Sequence, residues 1–169
     1  MIAPPAPSVR TLAADVRDGS RSAVDLLETS LDRIEATSEL NAFITVIEDE
    51  ARERAREIDV AVARGADPGP LCGVPVGIKD LGSRKEGVRH TLGLEQLADN
   101  VATSDSRGVE RLEAAGTVLV GTTSTHAHGH TIRTANRLVG ATPPPFDRER
   151  SAGGSSGGAA AALAAGPGG

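Results

Sequence analysis

The sequence predicts an α/β fold, because segments with helical periodicity alternate along the chain with short apolar segments of strand composition. Hydrophobic residues make up 38% of the 169 residues and aromatic residues only 1%, so the core must consist of Ala, Val, Leu and Ile. This length suits one domain with a buried core. We therefore expect a single domain over residues 11–169, preceded by a proline-rich arm over residues 1–10.

Two amphipathic helices are predicted near the start of the chain. Ser8 suits the N-cap of the first helix, which Gly19 ends, and Ser22 followed by Asp25 resembles a capping box for the second. The apolar positions lie on one face of each helix: Val9, Leu12 and Val16 in the first, and Val24, Leu27, Leu31 and Ile34 in the second.

A strand, a third helix and a second strand follow. Residues 41–47 have strand composition, and residues 49–64 predict a helix whose charged face is solvated rather than a binding surface. A turn-rich stretch then leads into the apolar strand 74–78, which ends at Lys79 and Asp80. These two charged side chains are therefore expected at the end of a buried strand.

The second half of the chain repeats the alternation once. Residues 82–100 are irregular and polar, as in an active-site loop or a surface excursion. Residues 106–115 predict a helix and residues 117–120 a buried strand. Residues 122–150 are predicted to form one long loop, and the alanine-rich residues 159–165 predict a final helix.

Charge and cysteine content exclude several functions. The 18 basic residues are outnumbered by 23 acidic ones, and no basic stripe with aromatic residues indicates a nucleic-acid surface. The N-terminus lacks the pattern of a signal peptide, and no apolar run is long enough for a membrane span. Cys72 is the single cysteine, which excludes an internal disulfide and fits a reducing compartment. We expect a soluble, cytoplasmic protein.

Lys79 has two interpretations. As a surface lysine at a strand end it would pair with the neighbouring Asp80, and lysines are seldom buried. As a buried lysine it would lose its charge and could accept a proton at neutral pH. Its position alone favours the first interpretation.

The serine pair Ser155 and Ser156 lies in a glycine-rich segment, residues 153–158, that runs into the alanine-rich helix. A flexible linker would have a similar composition, but it would not continue directly into a strong helix former. The N–H groups at the start of that helix would point toward a bound anion or a carbonyl oxygen. A phosphate-binding loop is excluded because no Gly-Lys-Ser/Thr ending follows.

The histidines and the cysteine are weaker candidates. His126, His128 and His130 alternate after a strand, but His90 is the only further histidine, so a metal hydrolase lacks ligands. We expect solvated or supporting histidines and no metal. Cys72 has no evident general base nearby and is predicted to be a packed thiol.

Together these segments resemble the amidase signature family. Residues 69–80, Gly-Pro-Leu-Cys-Gly-Val-Pro-Val-Gly-Ile-Lys-Asp, and residues 153–158, Gly-Gly-Ser-Ser-Gly-Gly, are similar to two motifs of that family in the right order. The opening helices, the first strand and residues 110–116 also agree, so the resemblance spans about residues 11–166. It implies a mixed β-sheet with helices on both faces. It also reverses the preference for a surface Lys79.

The resemblance implies a Ser–Ser–Lys mechanism of amide hydrolysis. Lys79 would be the unprotonated base, and Ser155, after a cis peptide bond, would be the bridging serine. Gly153, Gly154 and Ser156 would border the substrate. A second serine would be the acylating nucleophile, with a small-molecule amide as substrate and no cofactor.

The same resemblance implies that part of the machinery lies beyond residue 169. In the family the acylating serine and the oxyanion-hole N–H groups belong to a later glycine-rich turn, after another strand. We therefore expect a partial fold, truncated before the nucleophile strand, that is inactive alone. A complementing C-terminal chain or a homo-oligomer are the expected partners, and a non-catalytic remnant or assembly module is the alternative.

Overall fold

The computed structural model describes residues 7–166, and in them a three-stranded sheet lies between helices. The order of its strands is β1–β3–β2, with β1 antiparallel and β2 parallel to the central β3. The strands are β1 (Phe43–Val46), β2 (Pro75–Lys79) and β3 (Val118–Thr123), and a separate small hairpin consists of β4 (Ala135–Asn136) and β5 (Gly140–Ala141). The helices are α1 (Val9–Arg17), α2 (Ala23–Ala36), α3 (Glu48–Ala63), α4 (Arg107–Ala114) and α5 (Gly157–Ala164).

Helices cover both faces of this sheet, as expected. Val118 and Val120 of β3 point into a core formed with α1, α2 and α3, because alternate residues of a strand face opposite sides. Leu119, between them, packs with Ile78 of β2 and Val109 of α4 on the other face. The mixed α/β class is therefore confirmed.

The first two helices begin where the sequence predicts. The Ser8 hydroxyl accepts the N–H of Thr11, and the Ser22 hydroxyl accepts the N–H of Asp25, so each supplies a partner for an N–H that the helix itself cannot satisfy. Residues 1–6 of the predicted arm lie outside the described residues, and the last two residues of that arm already belong to α1.

The long loop predicted for residues 122–150 is partly wrong. Thr122 and Thr123 continue the central strand, because their backbones pair with β2 and their side chains are buried. The β4–β5 hairpin forms within the same stretch, and Ala127–Gly129 make a short 3-10 turn. Residues 82–100 are irregular as predicted, apart from a 3-10 turn over Glu95–Leu97.

The parallel pairing of β2 with β3 determines where the charged strand end lies. Lys79 is opposite Thr123, and the Asp80 N–H donates to the Thr123 carbonyl at 3.2 Å. Lys79 therefore leaves the sheet at the carboxyl end of two adjacent strands, where side chains of parallel sheets project beyond the backbone ladder. Within residues 7–166, no helix combines the length and the hydropathy that a bilayer crossing requires.

Candidate active site

The centre of the candidate site is a contact between Lys79 and Ser155, which are 76 residues apart in sequence. Lys79 Nζ lies 2.8 Å from Ser155 Oγ, and both residues are partly buried. This separation suits either direction of the hydrogen bond, from ammonium to hydroxyl or from hydroxyl to neutral amine. A proton can therefore pass between the two atoms without a rearrangement of the site.

The glycines of the Ser155 loop allow its unusual path. The peptide bond between Gly154 and Ser155 is cis, and Gly153 has a φ of 82°, in the left-handed region that favours glycine. Gly154 lies directly on the backbone of Arg133, where a Cβ would collide with the Arg133 carbonyl. The cis bond before Ser155 is the one that the resemblance implies.

A single hydroxyl joins the two ends of this loop. Thr134 Oγ1 donates to the Gly153 carbonyl at 2.8 Å and accepts the Gly157 N–H at 2.8 Å. Thr134 is only 1% exposed and Gly157 is buried, so the bond to the Gly157 N–H is shielded from water, whereas the bond to the half-buried Gly153 carbonyl is partly shielded. No sequence pattern identified Thr134, because it lies in the stretch that was predicted to be a featureless loop.

The expectation that the N–H groups at the start of the last helix face a ligand is wrong for its first two residues. The Gly157 N–H is bound by Thr134, and the Gly158 N–H donates to the Ser124 carbonyl at 3.2 Å. A Cβ on Gly158 would collide with the backbones of Ser124 and Ala42, so the glycine allows α5 to pack directly on the sheet. These two N–H groups anchor the helix rather than a substrate.

The other candidate residues of the loop differ in accessibility. Gly154 and Ser156 are exposed, whereas Gly153 is half-buried and its carbonyl is bound by Thr134. Ser156 is the N-cap residue of α5, yet its hydroxyl makes no capping bond. Its hydroxyl is therefore exposed to solvent and accessible to a ligand.

Asp80 does not pair with the neighbouring lysine. Its carboxylate is fully buried and accepts the N–H and the hydroxyl of Thr91 and the N–H of Gly93. The His90 imidazole lies 3.4 Å from the same carboxylate. Within residues 7–166 no carboxylate lies within 4.0 Å of the Lys79 amine, which contradicts the interpretation of Lys79 as an ion-paired surface lysine.

The turn that carries His128, residues 127–129, lies beside Ser155, and its histidines do not form a metal centre with the other described residues. Gly129 packs against Leu81 and Ser155: a Cβ on it would be 3.4 Å from Ser155 Oγ. His128 and His130 are exposed, with ring centroids 5.9 Å apart. Among residues 7–166, no group of three or more potential ligands is close enough to hold a metal ion.

The second lysine of the chain, Lys85, has a contrasting environment. Its amine lies 3.2 Å from a carboxylate oxygen of Asp105 and 2.9 Å from one of Glu113. Burial alone would lower the pKa of Lys85, but the hydrogen bonds that its amine donates to Glu113 and Asp105 outweigh burial and raise that pKa above 10.5. Burial alone would raise the pKa of Asp105, but the Glu86 N–H and Lys85 hold it below 3.8.

Cys72 is a packed thiol, as predicted. Its side chain is fully buried in the core between the sheet and the helices α2 and α3. Burial raises the pKa of the Cys72 thiol, which keeps it in the unreactive protonated form at neutral pH.

Comparison with known proteins agrees with these motifs. The amidase family model matches residues 25–168. The chain is 39% identical over 160 residues to a glutamyl-tRNA(Gln) amidotransferase subunit of Carboxydothermus hydrogenoformans, which covers 94% of this chain and 33% of that protein. It is 38% identical over 162 residues to an acylamidase of Rhodococcus erythropolis, covering 95% of this chain and 34% of that protein.

A solved structure is similar over the same part of the chain. It belongs to a vestigial protein complex that reveals the evolutionary origins of an s-triazine catabolic enzyme. The TM-score is 0.87 at 39% identity, covering 92% of this chain and 34% of that chain. The chain thus spans about a third of the length of the proteins it matches, and it resembles a part of their fold.

Proposed function

The chain belongs to the amidase signature family, and on that premise we propose that it carries the base and the bridging serine of a site that hydrolyses non-peptide amide bonds. The observation that supports this most is the 2.8 Å contact of Lys79 Nζ with Ser155 Oγ, which joins the two family motifs. The substrate is a small-molecule amide. The relatives differ too widely in the activities that their names state to narrow it further.

The proposed reaction begins with a neutral Lys79. The amine takes the proton of Ser155, while Ser155 takes the proton of the acylating serine, whose oxygen attacks the amide carbon. Ser155 then gives one proton to the leaving nitrogen and takes its own proton back from Lys79, and the carbon–nitrogen bond breaks to give an acyl-enzyme and ammonia or an amine. Water finally attacks the acyl-enzyme and releases the carboxylic acid.

The remaining groups come from outside residues 1–169. We propose that the acylating serine and the N–H groups that stabilise the oxyanion belong to a glycine-rich turn, in a continuation of the polypeptide or in a separate chain. Gly153, Gly154 and Ser156 border the substrate on the side of this chain. The exposed Gly154 and Ser156 are accessible for that role. The 169-residue chain alone is accordingly expected to hydrolyse no amide.

The first test is the coding sequence that follows codon 169, which should encode the second glycine-rich serine turn. The polypeptide completed in this way should hydrolyse a chromogenic anilide, and the 169-residue chain should not. In the completed protein, Ser155→Ala should lower kcat by about 100- to 10,000-fold, the usual contribution of a proton-transfer group. Ser156→Ala is the comparison variant: Ser156 borders the substrate but takes no part in the proposed proton relay, so we expect a much smaller loss of kcat than for Ser155→Ala. Equal activity of Ser155→Ala and the unaltered protein would refute the proposal.

A second candidate function is an assembly module that a partner chain completes. The exposed apolar side chains favour it: Leu163 on α5 is 82% exposed, Phe146 82% and Ile132 85%. In that case the 169-residue chain should copurify with a protein that carries the nucleophile turn. A clean, stable monomer in sedimentation would argue against the assembly module and would leave the amidase proposal untouched.

A further inference from the structure

The loop that presents Ser155 is closed by contacts outside the motif itself. Its first residue, Gly153, and the first helical residue after it, Gly157, both bind the same hydroxyl, Thr134 Oγ1. Thr134 belongs to the turn that leads into the β4–β5 hairpin, about twenty residues earlier in the chain. The turn before the hairpin therefore contacts both ends of the serine loop through the side chain of Thr134.

The steric fit around this hydroxyl is tight. A Cβ on Gly157 would lie 2.5 Å from Thr134 Oγ1, and a Cβ on Gly154 would collide with the backbone of Arg133, the residue before Thr134. Both glycines thus allow the loop to lie directly on residues 133 and 134. The position of Ser155 between them follows from the position of that backbone.

Burial makes the two hydrogen bonds hard to replace. Thr134 is 1% exposed, and the Gly157 N–H stands at the start of a helix, where no intrahelical acceptor is available. Without the hydroxyl, the buried Gly157 N–H would lose its partner in a place that water hardly reaches, and the half-buried Gly153 carbonyl would lose its partner as well. The loop would then have to move to find new partners.

We propose that Thr134 is a positioning residue, which holds Ser155 at hydrogen-bond distance from Lys79 by joining the two ends of the loop. This inference rests on the proposed role of the Lys79–Ser155 pair. It adds one residue, from the turn before the hairpin, to the groups on which the Lys79–Ser155 contact depends, and it assigns the role to the hydroxyl of that residue. The methyl group of Thr134 has no part in it.

The test uses the chain as it is and needs no turnover. Lys79 and Lys85 are the only lysines, so a chain with ¹³C-labelled lysine shows two side-chain signals by NMR, which Lys85→Arg assigns. Ser155→Ala should shift the Lys79 signal, and the size of that shift is the reference for loss of the Lys79–Ser155 contact. Thr134→Val removes the hydroxyl but keeps the shape of the side chain, and we expect it to shift the Lys79 signal by most of the reference amount. Thr134→Ser keeps the hydroxyl, and its Lys79 signal should stay where it is in the unaltered chain.

Thr142→Val is the matched control. Thr142 is also fully buried, but its hydroxyl donates to the Asn41 carbonyl at 3.0 Å and not to the serine loop. We expect this variant to lose stability and to leave the Lys79 signal in place. A folded Thr134→Val chain with an unmoved Lys79 signal would overturn the inference, as would an equal shift in Thr142→Val.

A measurement on the unaltered chain covers the case in which Thr134→Val does not fold. The Gly157 amide should exchange slowly with deuterium because Thr134 binds it, unlike an ordinary amide in the first turn of a helix. Rapid exchange there would contradict the inference. If Ser155→Ala itself leaves the Lys79 signal unchanged, the Lys79–Ser155 contact fails and with it the proposed function. That result differs from a failure of Thr134 alone.

Discussion

The two lysines of this chain lie six residues apart and in opposite chemical surroundings. Lys85 stands between the carboxylates of Asp105 and Glu113, and its ammonium is the counter-ion of both. Lys79 faces a hydroxyl, and the neighbouring carboxylate of Asp80 is bound by Thr91 and Gly93 instead. The first environment stabilises a charge, whereas the second has a partner that can give up a proton.

The two residues are of the same type and are similarly buried, so the group that each amine contacts is what distinguishes the two lysines. Both are partly buried; Lys79 ends a strand and Lys85 lies in the irregular segment that follows it. A lysine between two acids ties a loop to a helix, here residues 85 and 105 to α4. A lysine against a serine faces no fixed negative charge, and in the proposed function this contact is the one through which a proton passes.

The largest effect is expected from the same conservative substitution at the two sites. In the completed protein, Lys79→Arg should lower kcat by about 100- to 10,000-fold, because a guanidinium cannot become a neutral base. Lys85→Arg should retain activity, since arginine also satisfies Asp105 and Glu113. Steady-state kinetics of both variants measure this. An equal loss of kcat in Lys79→Arg and Lys85→Arg would contradict the different roles of the two lysines.

A second effect concerns stability and should have the reverse order. Lys85→Met leaves two carboxylates facing each other without a cation, and we expect it to lower the free energy of unfolding by about 1 to 3 kcal/mol. Lys79→Met removes one bond to a hydroxyl and should cost less, about 1 kcal/mol or below. Urea unfolding followed by circular dichroism compares the two. A larger loss for Lys79→Met would contradict the structure.

Chemical modification should separate the lysines by a smaller factor. The raised pKa of Lys85 keeps its amine protonated, and each unit of such a rise lowers the neutral, reactive fraction about tenfold. We expect reductive methylation near pH 8 to modify the Lys79 peptide several times faster than the Lys85 peptide, as measured by mass spectrometry. Replacement of Glu113 by Gln should accelerate modification of Lys85 and leave Lys79 unchanged.

The smallest effect is the pH dependence of the Lys85 cluster. The pKa of Lys85 is raised, so its contribution to stability is complete below pH 10.5 and is lost as the pH rises through the raised pKa. The pKa of Asp105 is lowered, so its contribution is present above pH 3.8 and is lost as the pH falls through the lowered pKa. The stability difference between Lys85→Met and the unaltered chain should therefore be largest near neutral pH and shrink at both extremes.

Much of the fold and the centre of the site are predictable from the sequence. Helical periodicity and the caps at Ser8 and Ser22 locate the first helices, and the two motifs identify Lys79 and Ser155. Both kinds of signal are local: a cap, a repeat or a run of glycines is contained within a few residues.

The parts that were missed depend on contacts distant in sequence. Thr122 and Thr123 are polar, so hydropathy ends the strand too early, although backbone pairing buries them. The β4–β5 hairpin has strands of two residues, too short for any periodicity. The contact of Thr134 with the serine loop exists only in the folded chain, so no local pattern around residue 134 could predict it. The hydrogen-bond acceptor of the Gly157 N–H was missed for the same reason.

The distance in sequence between Lys79 and Ser155 has a consequence for synthesis of the protein. A ribosome adds about 5 to 20 residues per second, so Lys79 is made roughly 4 to 15 s before Ser155, which lies 76 positions further along the chain. The three strands and the helices α1 to α4 end by Thr123 and can pack in that interval. The nascent chain therefore has time to build this part of its scaffold before Lys79 and Ser155 can come into contact.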